Sequence, residues 1–138
     1  MIVLDCSAAL QIAKRTEMGL AFQDLLLPDE EIIAPSFYAA EVTNVAWKYV
    51  HAKFETVERA ASIMQDALAL PDRLEPIDDY LEEAFQESVT FDHSVYDMLY
   101  VVLVRRKRAT LVTCDKRLRE ICHHMHVNCF EEVEFEQE

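Results

Sequence analysis

The stretch from Ser94 to Asp115 limits what this chain can fold into more than any other part of it. Val95, Met98, Leu99, Val101, Val102, Leu103 and Val104 cover nearly every face of a helix, which predicts that the helix is buried. That helix carries one acid, Asp97, in its first turns. A carboxylate in such apolar company is costly unless it is hydrogen-bonded, paired or bound to a cation. The chain then passes through Arg105, Arg106, Lys107 and Arg108 into a short strand, Ala109 to Thr113, and ends at Asp115. A second acid at a strand end sits where open α/β sheets place ligands.

The rest of the chain repeats this pattern. Residues 1 to 5 read as a strand ending in Asp5, and Ser7 is placed to cap a helix through Ala8 to Ala13. A second helix is predicted over Glu17 to Leu27, ended by Pro28, and a second strand over Glu31 to Ala34. Pro35 and Ser36 open a helix from Phe37 to His51, and Thr56 caps another from Val57 to Leu70. Leu74 to Ile77 reads as a brief strand, and Asp78 or Asp79 as the cap of a helix through Val89. A helix over Lys116 to His124, a last strand over Val127 to Phe130 and an acidic tail, 131–138, complete the chain. Strands separated by helices predict an α/β fold, a mainly parallel sheet with helices on both faces, in a single domain over residues 1–138. One glycine, Gly19, excludes the glycine-rich loops of dinucleotide binders and P-loop NTPases.

Charge narrows the partners. A net charge of −13 repels phosphate backbones at long range, so nucleic acid must be met by a local basic patch or with metal ions neutralising the site. A basic protein partner suits this surface well. The chain shows no signal peptide and no apolar run long enough to span a bilayer. Cys6, Cys114, Cys122 and Cys129 form no C-x-x-C pair and read as reduced thiols of a cytoplasmic protein.

Four acids occupy matching positions: Asp5 and Asp115 at strand ends, Asp97 near a helix start, and Glu41 one to two turns into the helix after Pro35. If the sheet is parallel, all four converge at one edge. Each also has an ordinary reading, Asp5 and Asp115 as helix caps and Glu41 as a solvated helix residue; the coincidence of four is the signal. Clustered carboxylates need compensation, and an all-oxygen set suits Mg²⁺ or Mn²⁺. Such an ion activates water and stabilises displacement at phosphorus. Ser7 and Thr113 can add hydroxyl contacts, and Asn44 shares the helix face of Glu41.

The segments around Asp5 and Ser7, from Ala34 through Glu41 to Asn44, Tyr96 to Tyr100, and Leu111 through Thr113 and Asp115 to Leu118 together resemble the PIN-domain ribonucleases, in particular the VapC-type toxins of bacterial toxin–antitoxin pairs. The resemblance implies an endoribonuclease with Asp5, Glu41, Asp97 and Asp115 around Mg²⁺ or Mn²⁺, supported by Ser7, Asn44 and Thr113, hydrolysing RNA phosphodiester bonds with a metal-activated water. It also implies a homodimer and an antitoxin that inserts a segment, often with a basic side chain, at the acidic groove. Lys116, Arg117 and Leu118 stand where some members carry a further acid. The rival reading is a PIN-like binding protein that has lost catalysis.

Lys116 and Arg117 beside Asp115, with Lys14 and Arg15 beyond the first helix, are the candidates for RNA contact. The run from Arg105 to Arg108 lies at the far end of its helix and reads as a solvated helix end. Cys122, the three histidines that follow and Cys129 imitate a zinc cluster but come from one short segment. Cys6 and Cys114 read as small apolar packing residues. Phe37, Trp47, Tyr49 and Phe54 read as core or dimer packing before a stacking platform for bases.

Overall fold

The fold grows outward from β1 (Ile2–Leu4), which the computed structural model, describing residues 1–26 and 28–130, places inside a four-stranded parallel sheet. β2 (Ile32–Pro35) lies on one side of β1, β4 (Thr110–Val112) on the other, and β3 (Arg73–Glu75) beyond β2. The register pairs Ile2 with Ile32 and Thr110, and Val3 with Ile33 and Leu111. β1 is buried on both faces, which is why it reads as an unbroken apolar run.

Strand alternation sorts the core into two halves. Ile2, Leu4, Ala34 and Val112 face α1 (Cys6–Lys14), α2 (Glu17–Leu25), α3 (Tyr38–His51) and α4 (Val57–Leu68). Val3, Ile33 and Leu111 face α5 (Leu81–Phe91), α6 (Val95–Lys107) and α7 (Lys116–Met125). The expected doubly covered parallel sheet is the fold observed. Met98 through Val104 are all buried on the second face, so the all-round apolar pattern of α6 is that of a helix enclosed by its neighbours. The single glycine has a steric cause: a Cβ on Gly19 would meet the carbonyl oxygen of Gln11 at 1.9 Å, so only glycine lets α2 lie this close to α1.

Several local expectations are corrected. Asp5, not Ser7, caps α1, accepting from the Ala8 amide at 3.0 Å; Ser7 already lies inside the helix. Asp78 and Asp79 fall in a 3₁₀ turn over Asp78–Tyr80, and α5 begins after it with no side-chain cap. The strand expected at 74–77 is Arg73–Glu75. The one expected at 127–130 reduces to a parallel bridge between Leu111 and Cys129, tied by hydrogen bonds from the Leu111 amide to the Asn128 carbonyl and from the Phe130 amide to the Leu111 carbonyl, both at 3.0 Å. The acidic tail and Leu27 lie outside the described residues. Among the described residues no helix is long and apolar enough to cross a membrane.

Candidate active site

The sheet order β3-β2-β1-β4 puts the topological switch point between β1 and β4, where the chain leaves β1 in one direction and returns on the other side. A crevice forms at the carboxyl ends of such strands. Asp5 follows β1 and Asp115 follows β4, so the topology brings these two acids to the same crevice. Glu41 enters from the first turn of α3, which starts just past β2, and Asp97 from the first turn of α6.

Asp5 is the most enclosed of the four. Its Oδ1 accepts from Ser7 Oγ at 2.7 Å and from the Ala8 amide, and its Oδ2 accepts from the Thr113 hydroxyl. Burial nevertheless outweighs these donors and pushes its carboxyl up to about 6, with the Asp97 charge adding to the rise. Thr113 Oγ1 also accepts from the Asp115 amide at 3.0 Å, and Ser7 Oγ from the Cys114 amide at 3.0 Å. Two hydroxyls, those of Ser7 and Thr113, therefore stitch the end of β4 to the start of α1. Asp115 caps α7 through Oδ1, which accepts from the Leu118 amide at 3.1 Å. Helix capping and site membership are thus compatible in Asp5 and Asp115, because each carboxylate has more acceptor sites than one amide uses.

Glu41 accepts from the Tyr100 hydroxyl at 2.6 Å. Its carboxyl is raised by burial and by Asp97, against the lowering effect of that hydrogen bond. It lines two openings: a groove of about 450 Å³ with Phe37, Tyr96 and Asp97, and a cavity of about 360 Å³ with Cys6, Ser7, Tyr49 and Cys114. Asp97 is less enclosed than its apolar neighbours suggest. Its side chain is 33% exposed, because only residues from Met98 onward are covered and the first turn of α6 projects at the crevice mouth. Asn44 is exposed, and among the described residues it hydrogen-bonds to none of the four acids.

Sequence reasoning missed His93. Its Nε2 lies 2.8 Å from Asp97 Oδ2, and His93, Asp97 and Asp115 each bring a ligand atom within 4.8 Å of the others. The four-residue spacing of His93 from Asp97 is the signal that could have found it, obscured because His93 precedes the helix. Among the described residues, neither lysine nor arginine pairs with Asp5, Glu41, Asp97 or Asp115. The donor set therefore fits a divalent cation: several hard oxygens, one imidazole and, among the described residues, no Lys or Arg paired with any of the four acids, the nearby Arg119 donating to the Thr113 carbonyl at 3.3 Å.

The basic candidates are placed unevenly. Lys116 is exposed beside Asp115. Arg117 donates to the Phe91 carbonyl at 3.2 Å and ties α7 to the end of α5. Lys14 holds its ammonium 5.0 Å from the centre of the Tyr49 ring, near the second cavity, and Arg15 closes α1 in a left-handed conformation. Trp47 and Phe54, expected in packing, are 58% and 78% exposed. Burial pushes the Cys6 and Cys114 thiols up to about 12 and about 11, so both are held protonated. Among the described residues the zinc-like segment assembles no group of three metal ligands.

The PIN domain family matches residues 2–124. The chain is 32% identical over 124 residues to ribonuclease VapC12 of Mycobacterium tuberculosis, covering 90% of this chain and 94% of that protein. Among solved structures, PAE2754 from Pyrobaculum aerophilum superposes with a TM-score of 0.64 at 22% identity, over 87% of this chain and 84% of that one. VapBC2 from Rickettsia felis, bound to a DNA fragment from its promoter, superposes with a TM-score of 0.65 at 18% identity, over 94% of this chain and 98% of that one.

Proposed function

The chain belongs to the PIN-domain family, and from that premise we propose that it is a metal-dependent endoribonuclease, the toxin of a toxin–antitoxin pair, with Asp5, Glu41, Asp97 and Asp115 as its acidic site. The observation that carries the reading is charge without compensation: burial raises the carboxyls of both Asp5 and Glu41, Asp97 adds to each rise, and no lysine or arginine among the described residues pairs with the group. A site like this is unfavourable when empty and is relieved by cations.

A bound Mg²⁺ or Mn²⁺ supplies Lewis acidity toward phosphate oxygens and activates water for hydrolysis. The chain's own residues supply orientation. Ser7, Thr113 and the Ala8 amide fix both oxygens of Asp5, and Tyr100 fixes Glu41 at the wall between the two openings. The cap on α7 fixes one oxygen of Asp115 and leaves the other side of the carboxylate toward the crevice. Exposed Lys116 is placed to meet an RNA phosphate, and Lys14 lies beside the cavity on the α1 side. Arg117 and Arg15 serve the fold first, through the Phe91 carbonyl and the end of α1.

The same lack of compensation suits a cognate antitoxin that delivers a basic side chain into the groove, where it replaces the cation's charge. We assign the protein to the cytoplasm as a homodimer. The support for a subunit contact is the stripe of Leu81, Phe85 and Val89 on α5, 46%, 55% and 67% exposed at four-residue spacing.

The direct test is cleavage of structured RNA by purified protein with Mg²⁺, with Mn²⁺ and with EDTA, beside Asp5→Asn. Cleavage that needs metal and is lost in the variant is the expected result. Cleavage that persists in EDTA or in Asp5→Asn overturns the assignment. If no RNA is cut and neither ion shifts Tm, the chain is a binding protein on a nuclease scaffold.

A further inference from the structure

Resting on the metal-dependent reading above, we propose that His93 is a nitrogen ligand of the metal site and makes it select a transition ion, Mn²⁺ over Mg²⁺. The argument begins with how rigidly His93 is held. Asp92 ends α5 in a left-handed conformation, the His93 amide donates to the Ser88 carbonyl at 3.2 Å, and Ser94 caps α6 by accepting from the Asp97 amide at 3.2 Å. Arg117 ties α7 to the Phe91 carbonyl two residues earlier, so the α5–α6 joint and the Asp115 cap are braced against each other. The imidazole is 16% exposed and reaches into the crevice rather than out to solvent.

The distances are those of ligand atoms. Two ligands at right angles around an octahedral ion, each about 2.1 Å from it, lie about 3 Å apart. His93 Nε2 and Asp97 Oδ2 are 2.8 Å apart, so an ion can replace the proton they share without either side chain moving far. Asp115 brings the third atom within the 4.8 Å span of the group. Mg²⁺ favours oxygen and retains its waters, whereas first-row transition ions gain from imidazole. A wholly carboxylate site would show no such preference from its donor atoms.

The test uses the full chain with Mn²⁺ as both ligand and probe. Pulsed electron paramagnetic resonance of the Mn²⁺-bound protein should show modulation from a directly bonded ¹⁴N nucleus, and His93→Gln should lose it. Titration of Mn²⁺ with Mg²⁺ as competitor should show Mn²⁺ affinity falling about tenfold in His93→Gln with Mg²⁺ affinity little changed. Retained Mg²⁺ affinity also establishes that the variant keeps its site.

Bound Mn²⁺ without ¹⁴N modulation overturns nitrogen ligation and leaves the carboxylate site standing. Equal loss of both ions in His93→Gln makes His93 a positioning residue for Asp97 and overturns the selectivity. Failure of the wild-type protein to bind Mn²⁺ at all overturns this inference together with the metal-dependent reading.

Discussion

At the C-terminal end of α6, Arg105 and Arg106 meet Glu83 and Lys107 meets Glu75, whereas at its N-terminal end Asp97 shares its surroundings with Asp5 and Glu41 and, among the described residues, pairs with a histidine and with no lysine or arginine. The two buried acids make the contrast sharpest. Glu75, 8% exposed, has Arg73 and Lys107 beside it; Asp5, 6% exposed, has hydroxyls and an amide. Glu83 is desolvated too, yet hydrogen bonds and charge from Arg105 and Arg106 hold its carboxyl below the ordinary value. At one end of the helix, Glu83 and Glu75 each have cationic side chains beside them. The other has no lysine or arginine paired with its acids among the described residues, which is the contrast expected between a proposed cation site and a structural ion-pair network.

The largest effects should come from breaking the uncompensated end. Asp5→Asn and Asp97→Asn should each reduce RNA cleavage by at least about a thousandfold, measured with saturating metal. Asp97→Asn should leave the metal-free Tm close to that of the wild-type protein, because the repulsion it removes from Asp5 and Glu41 is offset by the weakened contact with His93. Unchanged cleavage in Asp97→Asn would remove that residue from the mechanism.

Asp5 also predicts the pH dependence of folding. In the native state its carboxyl is pushed from 3.8 up to about 6, so between those values the native state holds a proton that the unfolded chain releases. Stability in EDTA should therefore fall as pH rises through this window, by about 3 kcal/mol in total. Asp5→Asn should flatten that slope in a denaturant series; an equal slope in both proteins would mean that Asp5 is not the buried charge responsible.

Tyr100→Phe sharpens the comparison more gently. It removes the hydrogen bond that lowers the Glu41 carboxyl, so the acidic limb of the pH–rate profile should move to higher pH. The accompanying loss of stability should be about 1 kcal/mol. The compensated end should matter least: Arg105→Ala should cost about 1 kcal/mol or less and leave cleavage unchanged. Smallest of all, Arg108→Gly should raise stability by up to about 1 kcal/mol, because Arg108 closes α6 at φ 52°, a conformation that glycine adopts without a Cβ penalty. A fall in Tm for that variant would show that the arginine side chain outweighs its backbone cost.

Much of this was legible in the residues. The apolar runs at Ile2–Leu4 and Leu111–Val112, the proline after Leu70 and the threonine before Val57 mark elements by local rules of period and capping. They also put acids at strand ends. The cap of α1 is ambiguous in sequence because Asp5 and Ser7 are both good cap residues two positions apart, and the choice depends on where β1 stops. Asp97 is less enclosed than the composition of α6 implies, because composition averages over the helix while burial is decided turn by turn by what packs against it.

The sequence by itself determined the order and type of the main elements, the parallel sheet with helices on both faces, and the positions of the four acids. Those follow from short-range periodicity and from the chirality of β-helix-β connections, which leave few alternatives. Only the tertiary structure decided that Tyr100 holds Glu41 across 59 residues, that Thr113 joins Asp5 across 108, and that His93 shares a metal-sized space with Asp97 and Asp115. Contacts between distant elements depend on how the sheet twists and where each helix is anchored, and apart from the four-residue spacing of His93 from Asp97 no local pattern of residues encodes them.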